Sequence, residues 1–119
     1  MTKLKITDGK GLHLTFDNGF TVSIQIGGGN YGDNYDFPIG EIRRDNPLPF
    51  SRRAEIAILA PGGGLILIGS PDDEYRHSVL GYVPIDRVLD LVVAVRAVKG
   101  APSAEEINMA IADFWQVPQ

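Results

Sequence analysis

Residues 12–26 carry the pattern that decides the fold, and they read LHLTFDNGFTVSIQI. Apolar and polar side chains alternate on both sides of Asn18-Gly19, which is typical of strands with one buried face. Asn-Gly between two such runs is a strong hairpin signal, because both residues tolerate the positive φ of a type I′ turn. We therefore predict a β-hairpin here. The alternation at residues 3–7 predicts a third antiparallel strand before it.

Two aliphatic runs further along the chain, residues 54–59 and 65–68, predict the rest of the sheet. They are apolar at nearly every position, which favours central strands covered on both faces. We expect helices over one face and a second subunit over the other, so that the chain forms a homo-oligomer. A local aliphatic core is the alternative explanation of the same pattern.

The last third of the chain predicts two helices. Pro84 suits a first helical turn, and the apolar residues after it recur at helical spacing. Lys99-Gly100 is typical of a helix end. Ser103 and Glu106 form a capping-box pattern at the start of the second helix. The expected fold class is α+β, with an antiparallel sheet of about five strands and two C-terminal helices packed on one face. Residues 1–119 are expected to form a single domain.

Composition excludes several classes of protein. The chain has 119 residues with 11 basic and 15 acidic side chains, giving a net charge of -4, so a general nucleic-acid binder is not expected. No apolar run approaches the roughly 18 residues that a membrane span needs. The absence of cysteine excludes disulfides and thiolate chemistry. The first residues show no secretory signal, and we expect a cytoplasmic location.

Residues 27–53 show neither strand nor helix periodicity, and loops of this length are usually functional or disordered. Gly27, Gly29 and Gly32 match G-x-G-x-x-G, but no helix is predicted after them, so a dinucleotide fold is not expected. An acidic loop at residues 72–77 offers weak metal ligands and is expected to be a solvated surface. No motif predicts catalytic residues, a metal site or a cofactor.

One constellation in and around this loop does predict chemistry. Glycine N–H groups can approach an anion closely, tyrosine rings can stack on a nucleobase, and arginine forks match phosphate. In simpler explanations the glycines only form turns, the tyrosines cap the core, and the arginines pair with nearby acids. The predicted ligand-binding residues are Gly28, Gly29, Asn30, Tyr31, Tyr35, Arg43, Arg44, Arg52 and Arg53.

The segment NGFTVSIQ at 18–25, followed by GGGNY at 27–31, resembles a family of small uncharacterised bacteriophage proteins. The helix opening LGYVP at 80–84 is similar to their C-terminal half. Gly32 stands where such proteins often carry a cysteine, so a role tied to that thiol is not implied. Small phage proteins of this size include sponges that sequester nucleotide signals of bacterial immunity. The resemblance therefore implies an oligomeric, non-catalytic binding protein.

From these observations we expect a protein that binds and sequesters a small nucleotide-derived ligand in an anti-defence role. The main alternative is an interaction module that blocks a host protein, because tyrosine and arginine are enriched in interface hot spots. A small phosphodiesterase and a minor structural phage protein are further alternatives that the residues leave open.

Overall fold

The computed structural model describes residues 1–7, 10–36 and 50–116. Five strands form one sheet in the order β1-β2-β3-β4-β5, and all neighbouring pairs are antiparallel. The predicted α+β class is therefore confirmed. The strands are β1 Lys3–Thr7, β2 Gly11–Thr15, β3 Thr21–Gln25, β4 Arg53–Leu59 and β5 Leu80–Pro84.

The fifth strand lies at residues 80–84, where the sequence allows either a short strand or the approach to a helix, and not at residues 65–68, which were predicted to continue the sheet. After β4 the chain turns at residues 61–64 and comes back beside it, where Ile66 N donates to Ile58 O at 2.9 Å. The returning residues form only isolated bridges, Leu59 with Leu65 and Ile68 with His77. β5 pairs with the same edge of β4, from Arg53 to Ile56. Residues 65–68 therefore cannot form a longer strand against that edge.

The β2–β3 hairpin is confirmed, but its turn differs from the prediction. Phe16 N donates to Phe20 O at 2.9 Å, and Gly19 N donates to Phe16 O at 2.9 Å. Of the turn residues only Gly19 has a positive φ, at 88°. The connection is therefore a three-residue loop that ends in a left-handed glycine, a common alternative to type I′.

The C-terminal part forms α1 Ile85–Ala97, α2 Ala104–Ala110 and α3 Ala112–Gln116. The predicted capping box is confirmed, because the Ser103 side chain accepts from Glu106 N and the Glu106 side chain accepts from Ser103 N. The predicted second helix is interrupted at Ile111, where ψ is 22°. Within the described residues, no helix is long and apolar enough to cross a membrane.

The two faces of the sheet have different environments. α1 packs against β3, β4 and β5, and with α2 it buries the face that carries Val22, Ile56 and Ile58. The opposite face, here called the open face, carries the side chains between them, including Ser23 and Ala57, which are paired across β3 and β4. Glu55 shares this face because it alternates with Ile56.

Candidate ligand-binding site

The first part of the long loop folds back on itself after β3. Gly29 N donates to Tyr35 O at 2.9 Å, and Asn30 N donates to Gly27 O at 3.1 Å. Tyr35 N donates to Gly32 O at 3.2 Å, which closes a further turn. Local backbone bonds therefore hold Tyr31 and Tyr35 within one compact segment.

This segment is attached to β4 and β5. Tyr31 N donates to the Glu55 carboxylate at 2.9 Å, and Tyr82 N donates to Tyr31 O at 2.7 Å. Two glycines allow the close approach. A Cβ on Gly32 would lie 2.8 Å from Arg53 O, and a Cβ on Gly81 would lie 2.8 Å from the Tyr31 Cβ. Larger residues at either position would force the segment away from the sheet.

Three tyrosines from this loop and from β5 come together at the surface. The rings of Tyr31 and Tyr35 are stacked, with centroids 5.7 Å apart and planes 5° apart. The Tyr82 ring is tilted by 32° at 6.3 Å from Tyr31. We call Tyr31, Tyr35 and Tyr82 the tyrosine cluster. Each of the three residues keeps 44–46% of its surface exposed.

The backbone of Tyr82 adopts a left-handed conformation with φ 54°, the only positive φ of a non-glycine residue in the described part of the chain. Such a conformation costs about 1–3 kcal/mol and is found preferentially at binding and catalytic sites. It coincides with the irregular pairing of β4 and β5. The strain is therefore located at the residue that adds a third ring to the cluster.

Arg53 places a guanidinium beside the cluster. Its Cζ atom lies 5.3 Å from the centroid of the Tyr82 ring. Its Nε donates to the Asp33 carboxylate at 2.6 Å, while the side chain stays half-exposed. One of the simpler explanations for the arginines, pairing with nearby acids, therefore holds for Arg53. The guanidinium has further N–H groups besides Nε with which to meet an anion.

Asp33 links the loop to the start of β4. Its carboxylate accepts from Arg52 N at 2.9 Å as well as from Arg53. The backbone N–H of Arg52, and next the Arg53 side chain, hold the pKa of Asp33 below its usual range. A lowered carboxylate pKa means that this link favours the folded loop at neutral pH. The contribution is lost as the pH falls through that lowered value.

The structure brings together only part of the predicted set. Tyr31, Tyr35 and Arg53 meet, but the N–H groups of Gly29 and Asn30 already donate within the loop. Gly28 is buried, and Arg52 uses its backbone N–H on Asp33. Arg43 and Arg44 lie outside the described residues.

Sequence reasoning missed Tyr82. It lies 47 residues beyond Tyr35, in a stretch whose pattern predicts only a short strand or the approach to a helix. Pairing of β5 with β4 brings it to the loop, and no local signal indicates that pairing.

Two other features of the described residues lie apart from this site. Among the described residues, no three or more His, Asp or Glu side chains lie close enough to hold a metal ion. A separate cavity of about 290 Å³ lies between the β2–β3 turn and the end of α1, lined by Asp17, Arg96 and Lys99 among others. It contains none of the predicted binding residues.

Comparisons of this chain with protein-family models, with curated proteins and with solved structures found no match. The functional conclusion therefore depends on the geometry of the tyrosine cluster and on the chemistry of the residues around it.

Proposed function

We propose that this protein binds a small nucleotide-derived ligand, with its base stacked on the tyrosine cluster and a phosphate near the Arg53 guanidinium. The observation that carries the proposal is the tyrosine cluster itself, three half-exposed rings assembled from two distant parts of the chain. Stacking of a base on an aromatic side chain contributes about 1–3 kcal/mol per base. A neighbouring guanidinium adds charge and hydrogen-bond donors for phosphate.

The cluster is poorly explained as a cap on the hydrophobic core. Its attachment point, Glu55, lies on the open face, away from the helices. Tyr31 and Tyr82 are joined through a backbone hydrogen bond, so their separation does not depend on side-chain packing alone. Rings held in advance lose little conformational freedom when a ligand binds, which favours affinity.

We further propose that the ligand is sequestered and released unchanged. The residues around the cluster offer stacking, a guanidinium and a carboxylate that is already bound to Arg53. This set suits retention of a flat anionic molecule. The resemblance to small phage proteins supports an anti-defence role for such retention.

Tyr82→Ala is expected to weaken binding of the best ligand by about 5- to 150-fold, because one stacking face is removed. Titration calorimetry checks this with adenosine monophosphate, ADP-ribose and cyclic dinucleotides as probes. Tyr82→Phe keeps the ring and should keep most of the affinity. Tyr75→Ala is the matched control, because that tyrosine is more exposed still and belongs to no ring contact of the cluster.

Recovery of the ligand after heat denaturation distinguishes the alternatives. Intact ligand supports sequestration, whereas a hydrolysed product would indicate a phosphodiesterase. Equal affinity of wild type and Tyr82→Ala would contradict stacking on the cluster. Binding of none of the probes would favour the protein-blocking function, which the exposed tyrosines and Arg53 also suit.

We also propose that the chain forms a homo-oligomer through the β1–β2 half of the face on which the helices pack, which α1 leaves uncovered, and not through the opposite face as the sequence suggested. Leu4 and Ile6 on β1 face the same side as the core but are 59% and 63% exposed. A patch without charges can pack on its own two-fold copy. Light scattering is expected to give a mass of at least two chains, and Leu4→Lys is expected to reduce it to one. A monomeric wild type at high concentration would contradict this interface.

A further inference from the structure

We propose that the open face of the sheet carries a second anion subsite, formed by Lys5 and His13. The ligand would then be a nucleotide with a phosphate far from its stacked base, either a dinucleotide or a nucleoside triphosphate. This inference rests on the proposed function, because it extends the ligand from the tyrosine cluster across the sheet.

The strand register places the two groups in one row. Lys5 pairs with His13, His13 pairs with Ser23, and Ser23 pairs with Ala57. Directly paired residues point to the same side of an antiparallel sheet. The row therefore crosses the open face from β1 to β4, and Ala57 lies two residues beyond Glu55, the residue that holds Tyr31.

The middle of this row is uncharged. Ser23 and Ala57 are small and nearly buried, with 7% and 8% of their surface exposed, so the side chains around them form the surface there. Those neighbours carry hydroxyl and amide groups. The Thr15 and Thr21 hydroxyls are 2.7 Å apart on one side, and Gln25 Nε2 donates to Ser23 Oγ at 3.2 Å on the other. An extended polar chain that crosses this face would therefore contact hydroxyl and amide groups between the basic residues and the tyrosine cluster.

The distance between the strands of the two subsites sets the minimum length of the ligand. β5, which carries Tyr82, is three strands away from β2, or about 14 Å at about 4.8 Å per strand. The phosphate of a nucleoside monophosphate is attached to the ribose beside the base and does not cover that distance. A second nucleotide or a triphosphate chain extends further, toward the ammonium of Lys5 and the imidazole of His13.

The charges on this face favour an anion at its β1 end. Lys3 and Lys5 both project from β1 on this side. Glu55, which lies on this face beside the tyrosine cluster, already accepts from Tyr31 N. A phosphate at Lys5 and His13 would gain charge-assisted hydrogen bonds, which are stronger than neutral ones.

Titration calorimetry on the full chain tests the subsite, with adenosine monophosphate, 5′-phosphorylated diadenylate and adenosine triphosphate as probes. Diadenylate is expected to bind about tenfold more tightly than the monophosphate, equivalent to about 1.4 kcal/mol. Lys5→Ala and His13→Ala should each remove most of this advantage while leaving the monophosphate affinity unchanged. Lys99→Ala, an exposed lysine at the end of α1, is the matched control.

The outcomes are distinct. An advantage for diadenylate alone assigns the subsite to a second nucleotide, and an equal advantage for the triphosphate assigns it to a phosphate chain. Equal affinity for all three probes, still reduced by Tyr82→Ala, would overturn the second subsite and leave the proposed function intact. An advantage that survives both the Lys5 and the His13 substitution would also overturn it. Binding of no probe would overturn both proposals.

Discussion

Asn108→Ala is expected to lower the free energy of unfolding by about 3 kcal/mol. The Asn108 side chain is almost fully buried, and it pairs with both backbone groups of Gly69. Gly69 N donates to its Oδ1 at 3.0 Å, and its Nδ2 donates to Gly69 O at 2.7 Å. Alanine would leave a buried N–H and a buried C=O unpaired, each at about 1–3 kcal/mol. Urea denaturation measures the loss, with an unchanged m-value expected.

The neighbouring variant Met109→Ala is the control for this prediction. Met109 lies on the same helix but is exposed, so its truncation should change the free energy of unfolding by less than about 0.5 kcal/mol. If Asn108→Ala were as stable as this control, Gly69 would have to satisfy its backbone groups in another way. The backbone at Gly69 would then not depend on α2 for its hydrogen bonds.

Asn18→Ala is expected to lower the free energy of unfolding by about 2–4 kcal/mol, because this buried side chain makes three hydrogen bonds. Its Nδ2 donates to Val95 O and to Val98 O, each at 2.8 Å, and its Oδ1 accepts from Phe20 N at 3.0 Å. The first bond goes to a carbonyl of the last turn of α1, which also accepts a long 3.4 Å bond from Val98 N, and the second goes to the carbonyl of Val98, the C-cap residue. Both bonds therefore add donors at the C-terminal end of α1, where carbonyls lack the usual i+4 partners. Thermal unfolding should show a lower midpoint, by roughly 10 °C.

Asn18→Asp distinguishes hydrogen bonding from simple loss of volume. Its shape is the same, but at neutral pH a carboxylate would face two carbonyl oxygens and the negative end of the helix dipole. It should therefore be at least as destabilising as Asn18→Ala at neutral pH, and it should recover on acidification as the carboxyl becomes a donor. An Asn18→Asp protein as stable as wild type at pH 7 would contradict this account of the turn.

Local patterns were sufficient for the first three strands and for the start of the second helix. Alternation with a period of two predicts β1, β2 and β3, because a sheet with one buried face requires it. The capping box at Ser103 depends on contacts only three residues apart, so the start of α2 could be predicted to the residue. The fold class follows from the order of these elements. The homo-oligomer and the nucleotide ligand remain predictions.

Long-range pairing was less predictable. Residues 65–68 and 80–84 are both short and apolar, and sequence alone did not decide which of them becomes the fifth strand. β5 pairs along β4 from Arg53 to Ile56 and leaves residues 65–68 only bridge contacts. Which of the two segments pairs with this edge of β4 depends on the whole fold, so it cannot be predicted from a local pattern.

By itself the sequence determined the α+β class, the hairpin at Asn18-Gly19, and two of the three tyrosines at the candidate site. These features arise from contacts between residues that are close along the chain. The tertiary structure decided the form of the hairpin turn, since Asn18 caps a helix that ends 79 residues after it. It also brought Arg53, which the sequence had predicted for the site, and Tyr82, which it had not, to Tyr31 and Tyr35. The physical reason is that strand pairing and helix docking bring distant residues together, and the free energy of those contacts is a property of the assembled fold.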